Sequence, residues 1–274
     1  LMRRLMEYST GLESRLGRPV VLAQHCEVHE LAEGGHMHEG EWSSFLGIPG
    51  QPSEAEELMV MRDIALSKMT GARIHFQHLS TLGSVQMVRE AKAAGLPVTA
   101  EATTHHFTLT DSACSCYNPV FKVHPPLRTE TDIKAIKEGL ADGTIDAIAT
   151  DHAPHSQHSK EMPFDEAPPG MLGLETALSL SLEHSGLDLH GVLNLLSWQP
   201  AKIAGVDDRH GMTVEKGNSA NLCVIDLDET WTVSGKEMLS RSSNTPYEGW
   251  NLRGRVRHTI NNGLLVVFDG ESTK

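Results

Sequence analysis

The chain has 274 residues, 39% of them hydrophobic, and a formal net charge of −13. This length suits one large α/β domain or one domain with a small appendage. The negative charge argues against nucleic acid and against an anionic membrane surface as partners, because both bind a basic face. A small anionic metabolite remains compatible with the charge, since a local cationic site overrides the net value.

The chain has no apolar run long enough to span a membrane, no signal peptide at its start and no disulfide pattern. Its four cysteines, Cys26, Cys114, Cys116 and Cys223, are few and lack CxxC spacing. These features predict a cytoplasmic protein. The first element after Leu1 is a predicted helix followed at once by a strand. An αβ unit without a preceding strand leads us to expect that the chain is part of a longer protein.

Four short apolar segments predict buried parallel strands: "RPVVLAQHCE", "ARIHFQHLS", "LPVTAEATTHH" and "IDAIATDHAPH". Helical patterns separate them. In the clearest of these, Ser53 is the predicted N-cap, Glu56 the capping-box partner and Gly71 the helix end. Strands that alternate with helices favour a parallel sheet, and each predicted strand ends in polar residues. We therefore predict half of a (β/α)₈ barrel; an open doubly wound sheet would carry a Gly-rich phosphate loop, and none is evident.

The sequence pattern changes from helical to strand-like near the C-terminus. Two predicted helices follow Gly173, and from Gly217 short strands alternate with Asn-Gly and Asp-Gly turns. We predict two domains, a partial barrel over residues 1–210 and a small β domain over residues 211–274.

Three predicted strands end in residues that suit a metal. His25, His78 and Asp151 supply the imidazole and carboxylate groups that bind Zn²⁺. A single histidine at a strand end is more often a hydrogen-bonded rim residue, but three such positions together favour a zinc site. Asp151 is also the predicted general base, because a carboxylate beside a metal-bound water can take up and return a proton.

Several other polar residues lie close to these strand ends. We predict that His155 contacts substrate and that His152 is a structural turn residue. Lys122, His124 and Arg128 surround a Pro-Pro corner that forms either a rigid loop with solvated charges or a loop presenting donors to an anionic substrate. The Gly/Pro loop around Pro169 and Gly170 looks locally like an ordinary helix start, although its backbone N–H groups could bind a carboxylate.

The remaining histidines and cysteines receive no metal in our prediction. The segment "GGHMHEG" follows no predicted strand, so we expect a loop ordered by its own hydrogen bonds. His105 and His106 should support the rim of the sheet, and the C-x-C pair Cys114 and Cys116 is incidental.

Taken in order, the motifs "VLAQHCE", "HFQHLST", "AEATTHHFTL", "FKVHPPLR", "ATDHAPH" and "GLETAL" resemble those of dihydroorotases in the amidohydrolase superfamily. The resemblance implies a distorted barrel with a small β domain, and the interconversion of N-carbamoyl-aspartate and dihydroorotate in pyrimidine synthesis. It further implies one or two zinc ions, with His25 and His78 as ligands and Asp151 as the metal-associated base. His155 would contact substrate, and Pro169 and Gly170 would lie in the loop that binds the substrate carboxylate.

The sequence departs from this family in two ways. His124 stands where the family usually has an Asn that contacts the dihydropyrimidine ring. The His-x-His motif of the first barrel strand, the residue that bridges two metals and an early Arg and Asn pair are not in the sequence. We therefore expect the C-terminal half of the barrel, strands five to eight, and expect the chain by itself to be inactive.

Two other functions remain open at this point. One is a related cyclic amidohydrolase such as an allantoinase or hydantoinase. The other is a catalytically silent dihydroorotase-like scaffold for aspartate transcarbamoylase, which the intact His25, His78 and Asp151 disfavour. For the dihydroorotase itself we expect a small-molecule substrate, dihydroorotate or N-carbamoyl-aspartate, and the resemblance also admits a homo-oligomer.

Overall fold

A computed structural model describes residues 1–211 and 213–273; Met212 and Lys274, which belong to the predicted β domain, lie outside the described residues. The strands are β1 (Val21–Gln24), β2 (Met37–His38), β3 (Gly50–Gln51), β4 (Arg73–Phe76), β5 (Val98–Thr103), β6 (Ala147–Ala149), β7 (Leu222–Thr232), β8 (Asn251–Asn261), β9 (Leu264–Phe268) and β10 (Glu271–Ser272). The α-helices are α1 (Met2–Leu16), α2 (His29–Ala32), α3 (Glu41–Leu46), α4 (Glu54–Thr70), α5 (Leu82–Ala93), α6 (Glu130–Asp142), α7 (Ala177–His184), α8 (Leu189–Leu193) and α9 (Gln199–Ala204).

The main sheet is parallel, and its strand order β1-β4-β5-β6 follows the order of the chain. These are the four strands that the apolar segments predict, so the prediction of an α/β fold with a parallel sheet is confirmed. One face of the sheet packs against α4, α5 and α6. The core of that face contains side chains from each of these strands and helices, including Ile74, Phe76, Ala100, Val60, Val88 and Ile136.

The other face of the sheet is more open and more polar than the pattern predicts. His75 and Glu101 lie on it and bond each other, Nε2 to Oε2, at 3.0 Å. They line a cleft of about 400 Å³ together with Ala23, which is exposed, and residues of α9. The expectation of strands buried on both faces is therefore right only for the helix-covered face.

The helix ends are partly as predicted. Gly71 and Gly143 end α4 and α6 in the left-handed conformation, with φ of 73° and 80°. Ser53 is the N-cap residue of α4, but its side chain makes no capping hydrogen bond. The predicted capping box is wrong because the Glu56 carboxylate points away from Ser53 and accepts hydrogen bonds from Ser80 and Thr81. The second helix predicted after Gly173 is also interrupted, by a π-helical turn at Asn194–Trp198.

The C-terminal strands form a second, antiparallel sheet in the order β10-β9-β8-β7. It meets the rest of the chain where α7 packs on β8, and Leu180, Tyr247 and Leu252 are buried in the core there. All four cysteines are free thiols. Within residues 1–211 and 213–273, no helix has the length and hydropathy needed to cross a membrane.

Candidate active site

Two of the predicted metal ligands lie side by side at the carboxyl end of the main sheet. His25 directly follows β1 and His78 follows β4, and these strands are neighbours. The His25 Nδ1 and His78 Nε2 atoms are 3.0 Å apart, and the two rings meet edge to face. The parallel pairing explains this, because adjacent parallel strands end at the same edge of a sheet.

The backbone is unusual at two of the three predicted positions. His78 has a φ of 34° and Asp151 a φ of 43°, both in the left-handed region that residues other than glycine rarely adopt. Each residue closes a strand of the sheet. Residues held in such conformations cluster at functional sites, where the surrounding structure imposes them.

The surroundings of His78 favour a neutral imidazole. Burial lowers its pKa, the nearby His25 lowers it further, and the Asp151 carboxylate raises it. The Nδ1 atom of His78 is buried and has no hydrogen-bond partner among the described residues. A neutral imidazole is the form that binds a metal, and a proton on the unpartnered Nδ1 would leave the lone pair of Nε2, which faces His25, for the ion.

The distance between His25 Nδ1 and His78 Nε2 fits two ligands of one zinc ion. Two Zn–N bonds of about 2.0–2.1 Å at a tetrahedral angle hold their nitrogens about 3.3 Å apart. The observed 3.0 Å is close to that value. Across residues 1–211 and 213–273, however, no three His, Cys, Asp or Glu side chains are close enough together to hold a metal. The site within the described chain is therefore a two-histidine pair, with Asp151 near enough to act on His78 electrostatically.

The three predicted substrate residues His155, Pro169 and Gly170 are in contact with one another. The His155 ring donates from Nε2 to the Pro169 carbonyl at 2.9 Å. Gly170 has a φ of 131°, and a Cβ there would come within 2.8 Å of the same Nε2 atom. Only glycine fits beside this imidazole, so loop and histidine form one unit.

His124 presents a defined donor. The Gln51 side-chain nitrogen donates to the Gly35 carbonyl and lies 3.1 Å from His124 Nε2, so that ring nitrogen is an acceptor. Burial lowers the pKa of His124, and the neutral ring then carries its proton on Nδ1. An N–H of this kind can donate to a ring substituent in the way an Asn amide does.

Neither alternative for Lys122 and Arg128 matches the structure. Both side chains are buried, so they are not solvated charges. Both donate to protein groups, so they are not presented to a ligand. Arg128 donates to Ser80 Oγ, His38 Nδ1 and the Gln51 carbonyl, which joins β3 to the segment after β4.

The histidines of "GGHMHEG" are also held from outside their own segment. His38 lies in β2, which pairs with β3 to form a short parallel ladder. His36 accepts from Lys122 and His38 accepts from Arg128. The expectation of a loop ordered by its own hydrogen bonds is therefore wrong, and the reason is that two distant cations supply the partners.

His152 forms a structural turn, as predicted. Its Nδ1 atom accepts from the backbone N–H groups of Gly173 and Leu174. Backbone amides that follow the Gly/Pro loop are therefore already bonded within the protein. The Leu172 amide likewise donates to the Asn244 carbonyl.

Sequence reasoning missed two residues near the site. Glu27 lies 3.7 Å from His25, and a hydrogen bond from His25 is the main cause that lowers the Glu27 pKa. Glu56 anchors the segment after His78 by accepting from Ser80 and Thr81. The spacing of Glu27, two residues after His25, is a weak signal; Glu56 gives none, because its partners lie 24 residues away.

His105 and His106 form a buried, neutral support behind the site. His106 bonds Thr103 through Nδ1 and donates from Nε2 to the Pro125 carbonyl. Burial, as the main cause, lowers the pKa of His106 to about 3, and that of His105 well below its ordinary value.

We expect this burial to make the protein acid-sensitive. Between pH 6.5 and about 3 the unfolded chain binds a proton that folded His106 does not, so stability falls as the pH falls. His106→Gln keeps an acceptor and a donor without the titration. Lowering the pH from 7 to 4 should cost the unchanged protein about 3 kcal/mol more than the variant. Urea unfolding at both pH values measures this, and equal losses would show that His106 does not contribute.

Comparison with known proteins identifies the family of the chain. Residues 45–266 match the amidohydrolase family. The chain is 47% identical to a dihydroorotase of Streptomyces coelicolor and 43% identical to one of Acetivibrio thermocellus, with 100% and 97% of the chain aligned. It spans 63% and 62% of those two proteins.

Solved structures give the same result for the fold. An L-hydantoinase (dihydropyrimidinase) from Arthrobacter aurescens superposes with a TM-score of 0.86 and 25% identity, covering 100% of this chain and 61% of that one. A D-hydantoinase (dihydropyrimidinase) from Thermus sp. has a TM-score of 0.83 and 26% identity, covering 99% and 61%. On the family match and these similarities, the chain belongs to the amidohydrolase family.

Proposed function

We propose that the chain is the C-terminal part of a dihydroorotase, which hydrolyses the cyclic amide of dihydroorotate reversibly to N-carbamoyl-aspartate in pyrimidine synthesis. The observation that carries this proposal is the 47% identity to a dihydroorotase along the full length of the chain. The small-molecule substrate and the cytoplasmic location follow from the same proposal, and the free thiols support a reducing compartment.

The topology of the sheet supports half of a (β/α)₈ barrel over residues 1–210. Strands β1, β4, β5 and β6 follow one another in chain order, and their helices pack side by side on one face. A doubly wound sheet would reverse its strand order and carry helices on both faces. The antiparallel strands within residues 211–274 support a separate small β domain. The coverage of 63% of a dihydroorotase is consistent with strands five to eight of its barrel.

His25 and His78 fit part of a zinc site, and further ligands would be needed to complete it. We propose His25 and His78 as ligands of one or two zinc ions, on the basis of the 3.0 Å separation of His25 Nδ1 and His78 Nε2 and of the lowered pKa of His78. Zinc bound there would supply Lewis-acid polarisation of the substrate carbonyl. Asp151 would accept a proton from the attacking water and return it to the leaving nitrogen, since its carboxylate is exposed and lies near enough to His78 to raise the pKa of that residue.

The other predicted residues would orient the substrate. His124 would donate from Nδ1 to the dihydropyrimidine ring, in place of the usual Asn. The His155 ring would contact the substrate carboxylate, and Pro169 and Gly170, whose own amide is bonded to the Lys122 carbonyl, would hold that ring in place. A homo-oligomer and a complex with aspartate transcarbamoylase are further expectations from the family resemblance.

A hydantoinase is the second candidate function, because solved hydantoinases superpose on the chain and His124 departs from the dihydroorotase pattern. The test is turnover of dihydroorotate, allantoin and hydantoin by a complete enzyme that contains these residues. Dihydroorotate should give the largest kcat/KM. A preference for hydantoin would replace the proposal by the second candidate.

We predict that the 274-residue chain by itself binds zinc weakly and lacks activity. Two imidazoles alone do not make the four-ligand site that holds zinc tightly. Competition with a chromogenic chelator should give a zinc affinity more than about 100-fold below that of the complete enzyme. His78→Gln in the isolated chain should lower the affinity further. Tight zinc binding, or dihydroorotate turnover at the rate of complete dihydroorotases, would contradict this prediction.

A further inference from the structure

Two lysines near the candidate site are buried without an acidic partner. Lys122 and Lys160 are only 4% and 8% exposed. Lysine is almost never buried to this extent unless it is paired with an opposite charge. Within residues 1–211 and 213–273, neither ammonium group makes an ion pair with a carboxylate. Burying a charge in this way is unfavourable, so the contacts that these groups do make indicate what they are for.

Both ammonium groups bond backbone carbonyls of one loop. Lys160 Nζ donates to the Pro168 carbonyl at 2.8 Å and to the Pro119 carbonyl at 3.0 Å. Lys122 Nζ donates to the Asp165 carbonyl at 2.9 Å. The Lys122 carbonyl also accepts from the Gly170 amide at 2.8 Å. The loop of residues 165–170 is therefore held at both of its ends.

The prolines of this loop explain why lysine side chains bond its carbonyls. The loop contains Pro168 and Pro169, which have no backbone N–H and cannot take part in a ladder of backbone hydrogen bonds. Its carbonyls need donors from elsewhere, and an ammonium group supplies up to three. Bonds from a charged donor are roughly twice as strong as neutral ones.

We infer that Lys160 and Lys122 are positioning residues that hold the 165–170 loop against His155 and thereby set the affinity for the substrate carboxylate. The inference rests on the proposed function for the identity of the substrate. The loop carries Pro169, whose carbonyl bonds His155, and Gly170, which packs on the same ring. Neither ammonium group forms an ion pair among the described residues, although Asp165 acts on Lys122 electrostatically, and the positive charge of Lys160 beside this loop favours an anionic group there.

The protonation of Lys160 is compatible with this role. Burial, followed by repulsion from Lys122, lowers the pKa of Lys160 to about 8. Burial also lowers the pKa of Lys122, although Asp165 opposes the shift. With a pKa of about 8, Lys160 is mainly protonated at neutral pH and donates as a charged group.

The experiment compares Lys160→Met and Lys122→Met with Lys160→Arg in the complete enzyme. Hydrogen exchange of the Gly170 and Met171 amides reports on the loop itself, and steady-state kinetics with dihydroorotate report on the substrate. We expect each Met variant to exchange these amides about tenfold faster or more, and to raise KM about tenfold with kcat within about threefold. Lys160→Arg keeps a charged donor, so it should restore most of both properties.

The matched control is Lys92→Met. Lys92 also donates to a backbone carbonyl, that of Gly143, and pairs with Asp146, but it lies at the opposite end of the main sheet. The control should lower the melting temperature without changing exchange at Gly170 or KM. If a Met variant does not fold, Lys160→Gln retains a neutral donor and should give an intermediate KM.

The outcomes separate the inference from the proposed function. Unchanged exchange at Gly170 in Lys160→Met would overturn the positioning role. Faster exchange with an unchanged KM would overturn the link to the substrate. An unaltered enzyme without dihydroorotate turnover would reject the proposed function and, with it, the substrate part of the inference, while the exchange measurement still decides the positioning role.

Discussion

Replacing Asp151 by Asn should lower the turnover of dihydroorotate by the complete enzyme about 10²–10⁴-fold, with little change in melting temperature. Asp151 follows β6 by two residues, at the carboxyl edge of the sheet where His25 and His78 also lie. Hydrolysis of a cyclic amide needs a base for the attacking water and a proton for the leaving nitrogen. Asn has nearly the same shape as Asp but cannot carry that proton.

The fold should tolerate this change for two reasons. Asp151 has a φ of 43°, and Asn is one of the few residues besides glycine that adopts the left-handed region readily. The carboxylate is exposed and is not used in a cap or an ion pair among the described residues. The alternative, that Asp151 only stabilises the turn, predicts near-normal turnover in the Asn variant.

Asp146→Asn is the matched control, since Asp146 directly precedes the same strand. Its carboxylate pairs with Lys92 at 2.6 Å and accepts from the Ala100 amide, so it has a structural role at the opposite end of the sheet. We expect this control to lower the melting temperature and to leave turnover nearly unchanged. Turnover and melting temperature measured on both variants distinguish the two roles. Near-normal turnover of Asp151→Asn would remove Asp151 from the mechanism.

Replacing Glu56 by Gln should lower the free energy of unfolding by about 3 kcal/mol. The Glu56 carboxylate is buried and accepts from the backbone N–H groups of Ser80 and Thr81 and from both of their hydroxyls. The Ser80 hydroxyl in turn accepts from Arg128, which is itself buried. A carboxylate and a guanidinium are thus joined through one hydroxyl group.

The amide of Gln breaks this network at two points. Its NH₂ group would face donors, which leaves at least one buried N–H or hydroxyl without an acceptor. Arg128 would also lose the anion that, next to burial, acts most strongly on its pKa. Because His78 lies two residues before Ser80, we further expect zinc binding by the complete enzyme to weaken.

Glu54→Gln separates these effects from helix electrostatics. Glu54 is in the same first turn of α4 but is exposed, so it shares the interaction with the helix dipole and lacks the buried partners. Its loss should change stability by less than about 0.5 kcal/mol. Urea unfolding of the two variants gives the comparison, and equal effects would mean that the buried network adds nothing.

The sequence predicted the secondary structure of the main sheet well. The apolar runs before His25, His78 and Asp151 form strands β1, β4 and β6. Local patterns predicted them because periodicity and glycine helix ends depend on neighbouring residues only. The ladder between neighbouring strands then follows from chain order, and it brings His25 beside His78. The zinc, base and substrate roles of these residues remain predictions.

The partners of the buried charges were decided by the tertiary structure alone. Glu56 looked like a capping-box residue, yet its carboxylate bonds residues 24 positions away. Lys122 and Arg128 looked like loop charges, yet they contact His36, His38 and Gln51 in a distant ladder. Periodicity along the chain says which residues are buried, but it carries no information on which polar groups meet. A buried charge must find its hydrogen-bond partners wherever the fold brings them, and only the packed structure determines where that is.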